Sequence, residues 1–218
     1  MSPPRVVLGV AGASGAALGL SVARHLSDLR AEIDLVASSA AERTLEEECG
    51  PDAYGALRSL ATRTHAIDNI GACIASGSVP VSGMIVAPCS MRSLAAIANG
   101  LDDNLLTRAA GVQLKERRRL VLLAREAPLT LAHLRNMTAV TELGAIVLPP
   151  VPAFYMRPRN VPDIVDQIAA RTVDLLGIAK PCAKEWVETL DYQRSHSTSP
   201  GCHSDPGNEP EVSSYRSY

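Results

Sequence analysis

Aromatic residues are scarce in this 218-residue chain: one Trp, one Phe and five Tyr make up 3% of it. Its core must therefore be built from Ala, Val and Leu. An excess of one charge is also missing, with Lys+Arg at 21 against Asp+Glu at 23 and a net charge of −2. That balance argues against nucleic acid, whose polyanionic backbone selects a basic surface. No run reaches the ~18 consecutive apolar residues of a membrane span. Glycines interrupt the apolar stretch that starts at Val6 before it attains the core of a signal peptide. The expectation is a soluble, cytoplasmic protein. The five cysteines (Cys49, Cys73, Cys89, Cys182, Cys202) are odd in number and contain no CxxC pair. Neither a disulfide framework nor a zinc ribbon is expected. No Asp-rich metal motif occurs, so no metal is expected.

At roughly 150 residues per domain, the length allows one large domain with an arm. Composition locates the arm. From Asp191 to Tyr218 there is no Leu, Ile, Phe, Met or Trp. Such a segment buries too little apolar surface to offset the entropy of ordering, and it reads as a disordered tail over 189–218. His196 and His203 fall there and are poor catalytic candidates. The folded part is 4–188.

Within it, short apolar runs alternate with amphipathic stretches. Val6–Val10, Ile33–Ala37, Met84–Ala87, Leu120–Leu123 and Ala145–Leu148 are continuous, as strands buried on both faces should be. Helices are expected after Gly15, from Ser90 to Ala98, from Asn104 to Glu116, and around Ile164, Ile168, Val173 and Leu176. This alternation predicts an α/β fold with a doubly wound parallel sheet.

Ligands of such sheets bind beyond the carboxyl ends of the strands. There the chain places Gly12-Ala13-Ser14-Gly15, Ser38-Ser39, Pro88-Cys89-Ser90-Met91-Arg92-Ser93, Arg125-Glu126-Ala127-Pro128 and a proline-rich segment ending in Phe154-Tyr155. The first loop suits a phosphate, since glycines admit an anion to a helix N-terminus. It lacks the Gly-Lys-Ser/Thr of a Walker A loop and the full GxGxxG spacing, and a plain tight turn explains it as well. The Ser90–Ser93 turn is a second anion cradle or an ordinary serine cap. Two cradles on neighbouring strand ends fit a phosphorylated cofactor. Arg108 and Lys115 are seven residues apart and can share one helix face. Arg125 follows a buried strand and pairs with Glu126 or with a ligand. Arg171 sits in the late helix and could equally be a surface residue. Cys89 reads as a buried thiol rather than a nucleophile. His25, His65 and His133 have no metal-ligand spacing.

Six motifs follow one another in order: Gly12-Ala13-Ser14-Gly15-Ala16, Ala87-Pro88-Cys89-Ser90-Met91-Arg92, Asp103-Asn104-Leu105-Leu106-Thr107-Arg108-Ala109-Ala110, Leu114-Lys115-Glu116-Arg117-Arg118, Arg125-Glu126-Ala127-Pro128-Leu129 and Pro149-Pro150-Val151-Pro152-Ala153-Phe154-Tyr155. From Arg5 to Trp186 the chain resembles the UbiX-type flavin prenyltransferases, long described as aromatic-acid decarboxylases. The resemblance implies a Rossmann-like homo-oligomer, commonly a dodecamer. Such an enzyme joins a dimethylallyl group from dimethylallyl phosphate to N5 and carbon 6 of reduced FMN. The prenylated FMN then serves UbiD-type decarboxylases. By the same resemblance, Gly12, Ala13, Ser14, Ser38, Ser90, Met91, Arg92, Ser93 and Arg125 bind flavin. Tyr155 and Arg171 hold the donor phosphate with Lys115 and Arg108 beside them, and Glu126 assists proton transfer.

Two departures stand out. Arg92-Ser93 replaces the Lys-Thr often seen in the family, and Gly111 replaces the acid of its Thr-Arg-Ala-Ala-Asp helix. Glycine inside a helix costs ~1 kcal/mol against Ala. Two other functions compete. An FMN-dependent cysteine decarboxylase would need a catalytic His in an early helix, which His25 matches poorly. A non-catalytic flavin-binding accessory subunit would be free to lose Lys115, Glu126, Tyr155 and Arg171.

Overall fold

A computed structural model describes residues 2–184 and places each predicted apolar run in one sheet. The strands are β1 (Arg5–Val10), β2 (Glu32–Ala37), β3 (Arg63–His65), β4 (Gly83–Cys89), β5 (Arg119–Ala124) and β6 (Ile146–Val147). All pairs are parallel, in the order β3-β2-β1-β4-β5-β6. Every residue of β4 is buried, as are the last five of β1, β2 and β5. Continuous apolar runs are what a sheet covered on both faces requires.

The helices are α1 (Ala16–Asp28), α2 (Ser39–Cys49), α3 (Ala53–Leu60), α4 (Met91–Ala98), α5 (Leu105–Lys115), α6 (Leu131–Glu142) and α7 (Val161–Asp174). One face of the sheet packs against α1, α2, α3 and α7 through residues such as Leu26, Leu45, Leu57 and Val173. The other packs against α4, α5 and α6 through Leu94, Leu105, Leu106 and Val140. Small side chains fill both layers, consistent with a core nearly free of rings.

Local signals set the helix ends. Ser90 caps α4 by accepting from Ser93 N–H at 3.3 Å. Asn104 and Thr107 form a reciprocal capping box on α5. Asn160 caps α7 by accepting from Asp163 N–H at 2.9 Å. The late helix stops at Asp174, so Leu176 lies just past it, still buried.

β3, α2, α3 and α6 lie outside the expected elements. β3 has no apolar run to betray it; it is held by charge. Asp34 of β2 is fully buried, and accepts from Arg5 Nε at 2.6 Å, from Arg63 Nη1 at 3.4 Å, and contacts His65 Nε2 at 2.8 Å. Burial pushes the Asp34 carboxyl up, but the Arg5 and His65 hydrogen bonds and the Arg5 and Arg63 charges outweigh it and hold it below its ordinary value. Cys73 completes this group, and Arg5 Nη2 donates to its Sγ at 3.2 Å. The Arg5 guanidinium thus joins the carboxylate to the thiol. The tail expected over 189–218, and the 188 boundary, lie outside the described residues.

Candidate active site

The strand order reverses between β1 and β4, where a doubly wound sheet opens a crevice at its carboxyl edge. A cavity of about 400 Å³ lies there. Gly12 reaches it from β1, Ser38 and Ser39 from β2, and Ser90, Arg92 and Ser93 from β4. Five predicted flavin residues therefore meet in one place: Gly12, Ser38, Ser90, Arg92 and Ser93.

Two helix N-termini face this cavity. Ser38 caps α2, its Oγ accepting from Ala41 N–H at 3.1 Å, and Ser90 caps α4. Free N–H groups and the positive ends of two helix dipoles suit an anion such as a phosphate. Gly12 allows the β1 loop to lie against α2: a Cβ there would stand 2.4 Å from the Ala40 Cβ. Arg92 is tethered at the rim by an ion pair with Asp103. Asp103 also accepts from Asn104 Nδ2 at 3.0 Å and Thr107 Oγ1 at 3.2 Å. Pre-formed glycine and hydroxyl cradles beside a fixed guanidinium are a donor set that fits the phosphate and hydroxylated chain of FMN.

The first loop differs from the expectation. Gly15 adopts a left-handed conformation (φ 100°), and α1 begins after it. The N–H groups of Gly15 and Ala16 both donate to Glu48 Oε2, each at 2.8 Å. The cradle assigned to a phosphate thus holds a carboxylate from the end of α2. Desolvation raises the Glu48 carboxyl. The Ser14 hydroxyl, the Ala16 and Gly15 N–H groups and the Arg125 charge outweigh it, so the group sits below its ordinary range. Glu48 was not a sequence candidate. It is one acid in the run Glu46-Glu47-Glu48, and nothing local distinguishes it from a solvated neighbour.

Arg125 extends from the end of β5 toward the same turn, 4.0 Å from the Cβ position of Gly15. It is exposed, so it needs no structural partner. Glu126 turns back to accept from Ala127 N–H at 3.0 Å, and among the described residues no Arg125–Glu126 ion pair forms. Ala13 and Ser14 lie in the first turn beside this group, whereas Met91 packs against the core under α4.

The remaining candidates stand apart. Arg108 and Lys115 line a second cavity of about 490 Å³ with Asp102, Gly111 and Arg117. Lys115 ends α5, about 16 Å along the helix from Asn104 at the rim of the first cavity, at 1.5 Å per residue. Tyr155, 55% exposed, lies in a 3-10 turn (Phe154–Met156), and Arg171 is exposed on α7. The described chain does not gather these four around the flavin-type cavity. Burial drives the Cys89 thiol up to about 12, which agrees with an inert structural residue. His25 Nε2 contacts Asp166 Oδ1 at 2.9 Å, tying α1 to α7. It has no place in the cavity lining, so the histidine required by the cysteine-decarboxylase alternative is not in position.

The flavoprotein family model matches residues 1–173. A flavin prenyltransferase UbiX of Neisseria meningitidis serogroup B is 50% identical over 187 residues, covering 86% of this chain and 98% of that protein. The solved structure of AnUbiX (PadA1) in complex with FMN and dimethylallyl pyrophosphate superposes with a TM-score of 0.82 at 45% identity, covering 85% of this chain and 98% of that one. A dodecameric FMN-dependent UbiX-like decarboxylase of Escherichia coli O157:H7 gives a TM-score of 0.80 at 42% identity, covering 84% and 99%. With half its residues identical over nearly the full length of such a relative, and the cavity at the expected strand ends, the chain belongs to the flavoprotein family and, within it, to the UbiX-type flavin prenyltransferases.

Proposed function

We infer that the protein transfers a dimethylallyl group from dimethylallyl phosphate to reduced FMN. The observation that carries this reading is the convergence of Gly12, Ser38 and Ser90 on one cavity, with α2 and α4 directing their N-termini toward it. Gly12, Ser38, Ser39, Ser90, Ser93 and Arg92 would hold FMN, with Arg125 beside the first turn. Bound there, reduced FMN supplies the nucleophilic N5 and carbon 6.

The protein's own part is electrostatic and positional. Lys115, Arg108, Tyr155 and Arg171 bind the donor phosphate. They stabilise the charge that grows on it as its bond to the allylic carbon breaks. Glu126 or the released phosphate would deliver and remove protons: one leaves N5 as it is alkylated, one enters at the alkene and one leaves the ring carbon.

Arg108 and Lys115 line a cavity of their own, and Lys115 lies a full helix length from the flavin cavity, which supports an oligomeric site to which a second copy brings these cations. Apolar surface for such contacts is present. Phe154 is 72% exposed and Leu131 61%, and of all the residues of α6 only Val140 is buried. A dodecamer, with sites at subunit boundaries, is the assembly that fits this reading. No helix of the described residues is long and apolar enough to cross a membrane. The product would be handed, in the cytoplasm, to a UbiD-type decarboxylase.

Anaerobic incubation with reduced FMN and either dimethylallyl phosphate or its diphosphate, followed by mass analysis of the flavin, tests the function. A flavin heavier by one isoprenyl unit is expected. Unmodified flavin with both donors would overturn the reading, and the donor that reacts identifies the substrate.

A further inference from the structure

Arg108 is held from two sides. Its Nη1 donates to Asp102 Oδ2 at 2.8 Å, and its Nε donates to the Ala75 carbonyl at 3.3 Å. Among the described residues Nη2 has no hydrogen-bond partner, so one nitrogen of the fork is left to meet a ligand. Asp102 belongs to the loop before α5, six residues from Arg108. Its carboxylate lies over the helix at Gly111. A Cβ built on Gly111 would stand 2.8 Å from Asp102 Oδ1, closer than unbonded atoms approach.

Glycine is a costly choice inside a helix, and α5 contains it at this one position. The cost has a steric reason. The missing side chain at 111 is the space that the Asp102 carboxylate occupies. Residues 108 and 111 are one turn apart on the same helix face. A carboxylate can therefore reach Arg108 by two routes: from position 111 within the helix, or from position 102 across a glycine. This chain uses the second.

We propose that Asp102 is a positioning residue for Arg108, and that Gly111 is the opening that admits it. The carboxylate and the Ala75 carbonyl fix the guanidinium plane and leave Nη2 directed at the donor phosphate. This rests on the reading of Arg108 as part of the phosphate-holding set.

The test moves the carboxylate from one route to the other. Asp102→Ala, Gly111→Asp, the double variant Asp102→Ala/Gly111→Asp, and Arg108→Ala are compared as FMN-loaded oligomers. Asp102→Ala should lower kcat/KM for dimethylallyl phosphate about 10-fold, through a raised KM and a lowered kcat, with FMN affinity little changed. Gly111→Asp alone should also impair donor use, because its Cβ and second carboxylate crowd Asp102. The double variant should recover to within about 3-fold of the parent, as an acid one turn from Arg108 replaces the one removed. Titration with inorganic phosphate should follow the same order without turnover.

Gly111→Ala adds a further check. It should raise the melting temperature through helix propensity while raising the donor KM, whereas a merely structural disturbance would lower the melting temperature as the KM rose. If Arg108→Ala leaves the donor KM unchanged, the reading of Arg108 fails and the proposal falls with it. If Arg108→Ala impairs donor use but Asp102→Ala does not, or the double variant is no better than Asp102→Ala, the positioning role alone is overturned.

Discussion

Glu48 Oε2 and the Gly15 N–H lie 2.8 Å apart, so an acid at the end of α2 closes the first turn of α1. Its contribution to stability is set by charge. The folded carboxyl is held below its ordinary value. The stabilisation is therefore complete above the unfolded carboxylate pKa and is lost as pH falls through the folded one. Glu48→Gln should cost about 0.3–1 kcal/mol at neutral pH, kept small by solvent screening. It should also flatten the acid limb of the stability profile. Chemical denaturation between pH 3 and pH 7, on the order of the carboxylate range, reads both; an unchanged acid limb would contradict the assignment.

Gly12→Ala places a methyl group 2.4 Å from the Ala40 Cβ, a contact between two short side chains with no flexible end to yield. The β1 loop and α2 must separate, at about 1–3 kcal/mol. Because the same two segments line the cavity, FMN affinity should fall by roughly 5- to 150-fold, since each 1.4 kcal/mol is tenfold. Flavin fluorescence titration of the apo-protein measures it.

Asp34 anchors the β3 edge of the sheet, remote from the cavity residues. Asp34→Asn should destabilise by about 3 kcal/mol, the low end for a broken buried pair, because Arg5 keeps some access to water. The loss should shrink as pH falls through the folded carboxyl's depressed pKa, where the parent also becomes protonated. FMN affinity of the folded fraction should stay at the parental value. A selective loss of flavin binding without destabilisation would show that the edge is coupled to the site.

Lys115 and Glu126 should separate kinetically. Lys115→Ala should lower kcat/KM for the donor by roughly 10- to 100-fold with FMN still bound, the effect of a lost charge-assisted contact of about 1.5–3 kcal/mol. Glu126→Gln should leave both ligands bound and reduce kcat by roughly 10²–10⁴-fold. Stopped-flow assays at saturating FMN distinguish the two; parental turnover in Glu126→Gln removes it from the proton path.

Subunit sharing predicts complementation. Arg125→Ala should be nearly inactive, and Lys115→Ala should keep about 1–10% of parental kcat/KM. Co-assembled in equal amounts, they should regain about a quarter of parental activity, because in a random oligomer about one site in four joins two intact halves. Mixed oligomers with no more activity than the single variants would place both residues in one copy's site.

Much of this arrangement was legible in the amino-acid order, because the signals involved are local. Strands buried on both faces need unbroken apolar runs, and the five runs from Val6 to Leu148 became five strands. Ser90 reads as a cap, and Asp102, Asp103 or Asn104 as the cap of the next helix, because a cap acts on N–H groups two or three residues away; packing selects Asn104. Gly12 and Ser90 were marked by lying just past strands, where such a sheet must place its ligand. Tertiary structure decided what depends on residues distant in the chain. β3 pairs with β2 and is anchored there by Asp34, which gathers Arg5, Arg63 and His65, and no periodicity encodes that. Glu48 closes a turn 33 residues before it, and Asp102 crosses Gly111 to reach Arg108. Side-chain spacing along a helix or strand can be read in advance, since backbone geometry repeats. Which carboxylate meets which N–H group or guanidinium follows only once packing has fixed the elements in space.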